Sequence, residues 1–253
     1  MKRFLALLFC NLFFTLGCAQ ENTPAIEIPT SVNYSYETIV GDIDIPWGMA
    51  FIDNNELLVT ESSGILYHVL NGKKTSIEGL PEIYVRGQGG LLDVALHPDF
   101  TNNKIIYLTL AATLGGEQGG NTSLYKAKLV DQHLEEVALL YKATPNTKKG
   151  QHFGSRIAFD DQGHVYFSVG DRGNRDEDPQ DITRDGGKIY RLNLDGSIPD
   201  DNPFVSNPEA KHAVFSYGHR NPQGMTVHPK TGVLWVNAHG PQGGDAINEI
   251  RKG

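Results

Sequence analysis

A strand pattern that recurs four times in the same order leaves this chain few folds to choose from. Gly48–Ile52, a turn at Asp53-Asn54-Asn55, Leu57–Thr60 and Gly64–Tyr67 make a first unit. Leu91–Leu96, Lys104–Leu110 and Ser123–Lys128 make a second, with Leu134–Tyr141 as its outer strand. Ser155–Phe159, a turn at Asp161-Gln162-Gly163, Val165–Val169 and Lys188–Leu192 make a third. Gln223–Val227, Val233–Asn237 and Ala246–Ile250 make a fourth. Short β-branched and aromatic runs between Gly and Asx turns, with no amphipathic helical stretch, indicate an all-β domain. A meander repeated in this way is the signature of β-propeller blades. A β-sandwich of similar strands is the competing arrangement. The opening strands begin near residues 48, 91, 155 and 223. That uneven spacing predicts long insertions between the second and third strands of units two and three, where function commonly sits. The chain stops at Gly253, partway through the fourth unit. The expectation is therefore an incomplete propeller over residues 37–253, with roughly four blades present.

The residues before the repeat read differently. Met1-Lys2-Arg3 is a positive start, Phe4–Leu16 is apolar apart from Asn11 and Thr15, and Gly17-Cys18-Ala19-Gln20 follows. This is the plan of a signal peptide, and its apolar run is shorter than the roughly 20 residues of a membrane span. Cys18 after Gly17 resembles a lipoprotein cleavage site, although Thr15 stands where that signal usually carries Leu. Residues 1–18 are thus expected to be a leader of lipoprotein type, and 19–36 a polar tether. The protein would be exported, periplasmic or anchored by lipid to the outer membrane. Both cysteines, Cys10 and Cys18, lie in the leader, so the folded part has no disulfide. The formal net charge is −8, and the leader holds Lys2 and Arg3 but no acid. That balance argues against nucleic acid as a partner.

Topology alone gathers the chemically active residues. In a blade meander, the start of the first strand and the end of the second lie on one face. Arg86-Gly87-Gln88, Gln151-His152-Phe153-Gly154 and Gly218-His219-Arg220-Asn221-Pro222 precede first strands. Gly170-Asp171-Arg172-Gly173 and Ala238-His239-Gly240-Pro241 follow second strands. All five should meet on one face, and they are richer in His, Arg, Asn, Gln and Asp than turns require. The turns of the opposite face are ordinary turn chemistry.

From about Ile45 to Ile250 the chain resembles the aldose sugar dehydrogenase group of the glucose/sorbosone dehydrogenase family. The resemblance rests on Pro46-Trp47-Gly48-Met49-Ala50-Phe51, Gly87-Gln88-Gly89-Gly90-Leu91-Leu92 and His152-Phe153-Gly154-Ser155-Arg156. Further matches are Gly170-Asp171-Arg172-Gly173, Gln180-Asp181, Gly187-Lys188-Ile189, Asp195-Gly196-Ser197-Ile198-Pro199 and Gly218-His219-Arg220-Asn221-Pro222-Gln223-Gly224. It implies a six-bladed propeller of four-stranded antiparallel blades that uses pyrroloquinoline quinone (PQQ) and calcium to oxidise an aldose at C1 to the lactone. An external electron acceptor would then be reduced. On this resemblance His152 is the general base, Asp171 its carboxylate partner, and Arg220 the cation over the quinone. Gln88 and Asn221 match positions that contact cofactor or substrate, and Gly240 and Pro241 match main-chain carbonyls that hold calcium.

The sequence departs from the family around that loop. The usual Glu-His-Gly-Pro-Arg-Gly-Gly-Asp-Glu reads Ala238-His239-Gly240-Pro241-Gln242-Gly243-Gly244-Asp245-Ala246. Carbonyl ligation does not depend on those side chains, but the loop's orientation does. The family's further cations for PQQ lie in later blades that this chain does not include. Two other functions stay open: a related propeller without redox activity that serves as a binding module, and a calcium-dependent lactonase-type hydrolase. The acidic run Asp176-Glu177-Asp178 with Asp181 reads as a solvated loop rather than a metal site.

Overall fold

Among the described residues, fifteen strands arranged as four antiparallel meanders account for nearly all of the regular structure. The computed structural model describes residues 33–116 and 118–253. The leader expected at 1–18 and most of the tether expected at 19–36 lie outside them. Residues from Thr38 onward form one compact unit. The described part of Met1–Glu37 carries no helix or strand.

The first sheet holds β1 (Pro46–Phe51), β2 (Glu56–Glu61), β3 (Ile65–Leu70) and β4 (Lys73–Ile77). The second holds β5 (Leu91–Leu96), β6 (Ile105–Ala112), β7 (Asn121–Val130) and β8 (His133–Lys142), with a one-turn helix α1 (Phe100–Asn103) between its first two strands. The third holds β9 (Ile157–Phe159), β10 (His164–Val169), β11 (Lys188–Asn193) and β12 (Val214–Tyr217). The fourth has three strands, β13 (Pro222–Val227), β14 (Leu234–Ala238) and β15 (Ala246–Glu249). The first strands lie side by side in chain order: β1 beside β5, β5 beside β9, and β9 beside β13.

Burial decides between propeller and sandwich. A sandwich encloses one core between two sheets, whereas here successive sheets enclose separate cores. Leu58 and Leu66 of the first sheet pack with Leu91, Leu108 and Tyr125 of the second. Tyr107 and Leu124 of the second pack with Phe167, Tyr190 and Val214 of the third. Tyr166 and Ile189 of the third pack with Leu234 and Val236 of the fourth. Neighbours Tyr107 and Leu108, Tyr166 and Phe167, and Ile189 and Tyr190 therefore feed opposite cores, as the two-residue period of a strand buried on both faces demands. The four sheets are propeller blades.

The same position of each second strand ties one blade to the next. Thr60 Oγ1 of β2 donates to Leu92 O at 2.5 Å, Thr109 Oγ1 of β6 to Ser155 O at 2.7 Å, and Ser168 Oγ of β10 to Pro222 O at 2.8 Å. Each hydroxyl reaches the start of the next blade, the region that carries the candidate residues.

Two outer strands depart from the sequence expectation. β4 is Lys-Lys-Thr-Ser-Ile with only Ile77 buried, too polar to read as a strand, although Asn71-Gly72 at φ 50° and 75° is a proper hairpin turn for it. β12 comes only after the long connection 194–213, which spacing alone attributed to the strand pair before it. The insertion at 170–187 lies between β10 and β11 as expected, whereas in the second unit only 113–120 separates β6 from β7 and the long connection is 143–156, after β8.

Candidate functional site

The five segments placed on one face by topology are joined by hydrogen bonds. Gln88 Oε1 accepts from the His152 backbone N–H at 2.8 Å. The His152 Nδ1 lies 2.5 Å from Asp171 Oδ1, which also accepts from Gly173 N at 2.7 Å. Asp171 N donates to Arg220 O at 2.7 Å. Asn221 Oδ1 accepts from Gly154 N at 3.1 Å, and Asn221 O from His239 N at 3.1 Å. Arg220 Nη1 closes the set on His239 O at 3.1 Å and Gly240 O at 3.2 Å.

These segments approach more closely than side chains would allow. A Cβ on Gly170 would stand 2.2 Å from His152 O and 2.9 Å from Asn221 Oδ1. His152 and Arg172, neither of them glycine, hold left-handed backbone at φ 54° and 53°. Such conformations cost of order 1–3 kcal/mol and persist where partners over-determine them.

Two hollows share Arg220. One, of about 250 Å³, has Gln151, His152, Asp171, Asn174, Arg175 and Asp176 in its wall. The other, of about 390 Å³, has His219, His239, Gly240 and Pro241. Gln88 and Asn221 are in neither wall; their visible role is to hold the segments that carry His152 and Arg220.

The electrostatics differ from one histidine to the next. Asp171 is fully buried, and its Oδ2 has no partner among the described residues. A buried carboxylate against Nδ1 orients the ring, leaves Nε2 as the proton acceptor, and stabilises imidazolium when it forms. Among the described residues His219 has no carboxylate partner; burial, with Lys188 beside it, pushes its imidazole down to about 4. It is neutral at ordinary pH and cannot hold a proton there. Lys188 is buried with its ammonium on the carbonyls of Asp178, Pro179 and Gly186, and burial brings it down to about 8.

Gly240 and Pro241 are consecutive in the loop after β14, and both carbonyls are engaged. The Gly240 carbonyl accepts from Arg220, and that of Pro241 accepts from Gly244 N at 3.1 Å. Asp245 Oδ1 holds the Gly240 N–H at 2.9 Å. The acidic run is tied by Arg184, which contacts Glu177 at 3.3 Å, Asp178 at 2.9 Å and Asp181 at 3.2 Å. No group of three or more His, Cys, Asp or Glu that could hold a metal occurs among the described residues.

Sequence reasoning passed over Arg172, which is buried under the His152 segment. It also passed over Asp93, whose carboxylate takes Arg156 Nη1 at 2.7 Å and Ile157 N at 2.8 Å. Asp171 next to Arg172, and Arg156 inside the His152 motif, were the signals available. Neither spacing says that Arg172 or the Asp93 carboxylate is buried.

Residues 43–253 match the family described as Glucose / Sorbosone dehydrogenase. The chain is 38% identical over 230 residues to "Aldose sugar dehydrogenase YliI" of Escherichia coli strain K12, covering 89% of this chain and 61% of that protein. It is 30% identical to "Quinoprotein glucose dehydrogenase B" of Acinetobacter calcoaceticus over 88% of this chain and 52% of that protein. The PQQ-bound form of the aldose sugar dehydrogenase of Streptomyces coelicolor superposes with a TM-score of 0.74 at 28% identity, over 86% of this chain and 63% of that one. The chain therefore spans about 61% of the length of the Escherichia coli relative.

Proposed function

Because the chain belongs to the glucose/sorbosone dehydrogenase family, we propose that it serves a sugar oxidoreductase that takes the proton of the C1 hydroxyl and a hydride from C1 of an aldose and yields the lactone. The observation that carries this is the His152–Asp171 pair at 2.5 Å, in a cleft that Arg220 also lines.

His152 Nε2 takes the proton of the anomeric hydroxyl, the general-base task that imidazole performs most often. Asp171 holds the ring and balances its charge. Arg220, fixed by two carbonyls, keeps its cation at the edge of the cleft, where it stabilises negative charge on an acceptor oxygen. Bound PQQ would supply the quinone that receives the hydride, and an external acceptor would take the electrons on. The carboxylates of this anionic planar group would meet Arg220 and Arg175, the latter 3.4 Å from Asp176 in the same wall. Gln88 and Asn221 would act on it through the segments they hold. Calcium fits these residues less well. It takes 6–8 oxygens, and Gly240 and Pro241 offer two carbonyls already engaged in hydrogen bonds. They stand as candidate ligands. The leader at 1–18 would place the protein outside the cytoplasm.

The test uses the full-length protein, stripped with chelator and titrated with PQQ, with and without calcium, while dye reduction is followed with a panel of aldoses. Sugar-dependent reduction that saturates with PQQ and disappears in His152→Ala is expected. A folded protein that binds no PQQ at micromolar concentration would overturn the proposal and leave a non-redox binding module.

A further inference from the structure

The peptide unit between Gln151 and His152 is held at both ends. Its N–H, that of His152, donates to Gln88 Oε1 at 2.8 Å. Its C=O, that of Gln151, accepts from Arg172 Nη1. Arg172 is 2% exposed, and its guanidinium lies 3.5 Å over the Phe153 ring. The other arm, Nη2, reaches Thr147 Oγ1 at 3.0 Å, Lys149 O at 2.8 Å and Gly120 O at 3.4 Å. One side chain thus grips residues 147–151 from below and the ring of residue 153 from its face, with His152 between them.

A buried cation held by neutral carbonyls is costly unless its hydrogen bonds are good. Burial brings Arg172 down to about 10, with Tyr84 and Asp171 opposing that. The stretch 143–156 has no strand to hold it, and His152 needs a left-handed backbone that it does not favour. A planar fork with several donors can fix such a loop where a single ammonium cannot.

We infer that Arg172 is the positioning residue for His152: by clamping the 151–152 peptide and stacking on Phe153, it keeps the imidazole in register with Asp171. Its catalytic consequence rests on His152 being the proton acceptor, but the clamp itself does not.

The experiment reads the imidazole directly, in the full-length protein without cofactor or sugar. The proton shared by His152 Nδ1 and Asp171 should give a downfield proton NMR signal, assigned by its loss in His152→Gln. In Arg172→Lys, which keeps the charge but not the fork, its exchange with water should quicken at least tenfold while the amides of β10 and β11 exchange as before. Thr147→Val, which removes one acceptor, should give a smaller rise and decides the matter if Arg172→Lys does not fold. Unchanged exchange, a rise shared by the strand amides, or absence of the signal from the unsubstituted protein would each overturn the proposal. Turnover is a separate readout. With a working enzyme, Arg172→Lys should lower kcat about tenfold and leave the KM for sugar unchanged. No turnover in the unsubstituted protein would sink the dehydrogenase proposal while leaving the NMR result standing.

Discussion

Two histidines sit in neighbouring segments of the same face, and their surroundings set them apart. His152 has a buried carboxylate on Nδ1, whereas His219 has Ser216 at 3.1 Å and a lysine nearby. A histidine whose folded pKa is held near 4 binds fewer protons than the unfolded chain between about pH 6.5 and 4. Its contribution to stability is fully present above about pH 6.5 and is lost as pH falls towards 4. Urea unfolding should show a stability about 2 kcal/mol lower at pH 5 than at pH 7 from this residue. His219→Gln should remove that part of the slope; an unchanged slope would show that His219 is not held neutral. At this scale residue types were legible, since His152, Asp171 and Arg220 stand in recognisable motifs. Their states were not, because a pKa depends on which distant atoms exclude water. Nothing around Gly218-His219-Arg220 in the chain says that Lys188 lies beside the ring.

Among elements, the second strand of each blade does more than fill a core. Thr60, Thr109 and Ser168 hold the next blade by a hydroxyl, and Thr109 also accepts from Asp93 N at 3.0 Å. Thr109→Val keeps the shape but leaves Ser155 O and Asp93 N without that partner. An unsatisfied buried group costs about 1–3 kcal/mol, so the midpoint of denaturant unfolding should drop accordingly. A neutral outcome would mean that the hydroxyl is dispensable. Ser155 lies three residues beyond His152, so the same substitution should also quicken amide exchange in the loop before β9. Strands with alternating or continuous apolar residues were readable from the chain, including β2, β6, β10 and β14. β4 was not, because a polar edge strand has little hydrophobic signal to show. β12 was hidden for a different reason: the long connection before it separates it from its partner in sequence but not in space.

For the molecule as a whole, the cores between successive blades carry the architecture, and the proposed leader would govern where it works. If Cys18 receives lipid, the full-length protein made in a bacterial host should incorporate labelled palmitate and fractionate with membrane, and Cys18→Ser should abolish both. A Cys18→Ser protein that remains labelled would place the lipid elsewhere, and an unsubstituted protein without label would show that Cys18 carries none. The sequence by itself determined the all-β class, the repeating meander and the face on which the chemistry collects, because strand period, turn residues and chain direction are local properties. The tertiary structure alone decided that successive blades enclose separate cores, that His219 is held neutral, and that a buried Arg172 clamps the peptide before His152. Those outcomes depend on close approach between segments far apart in the chain, such as Gly170 against His152 and Asn221. Burial and desolvation arise only when such segments meet, and no local pattern encodes them.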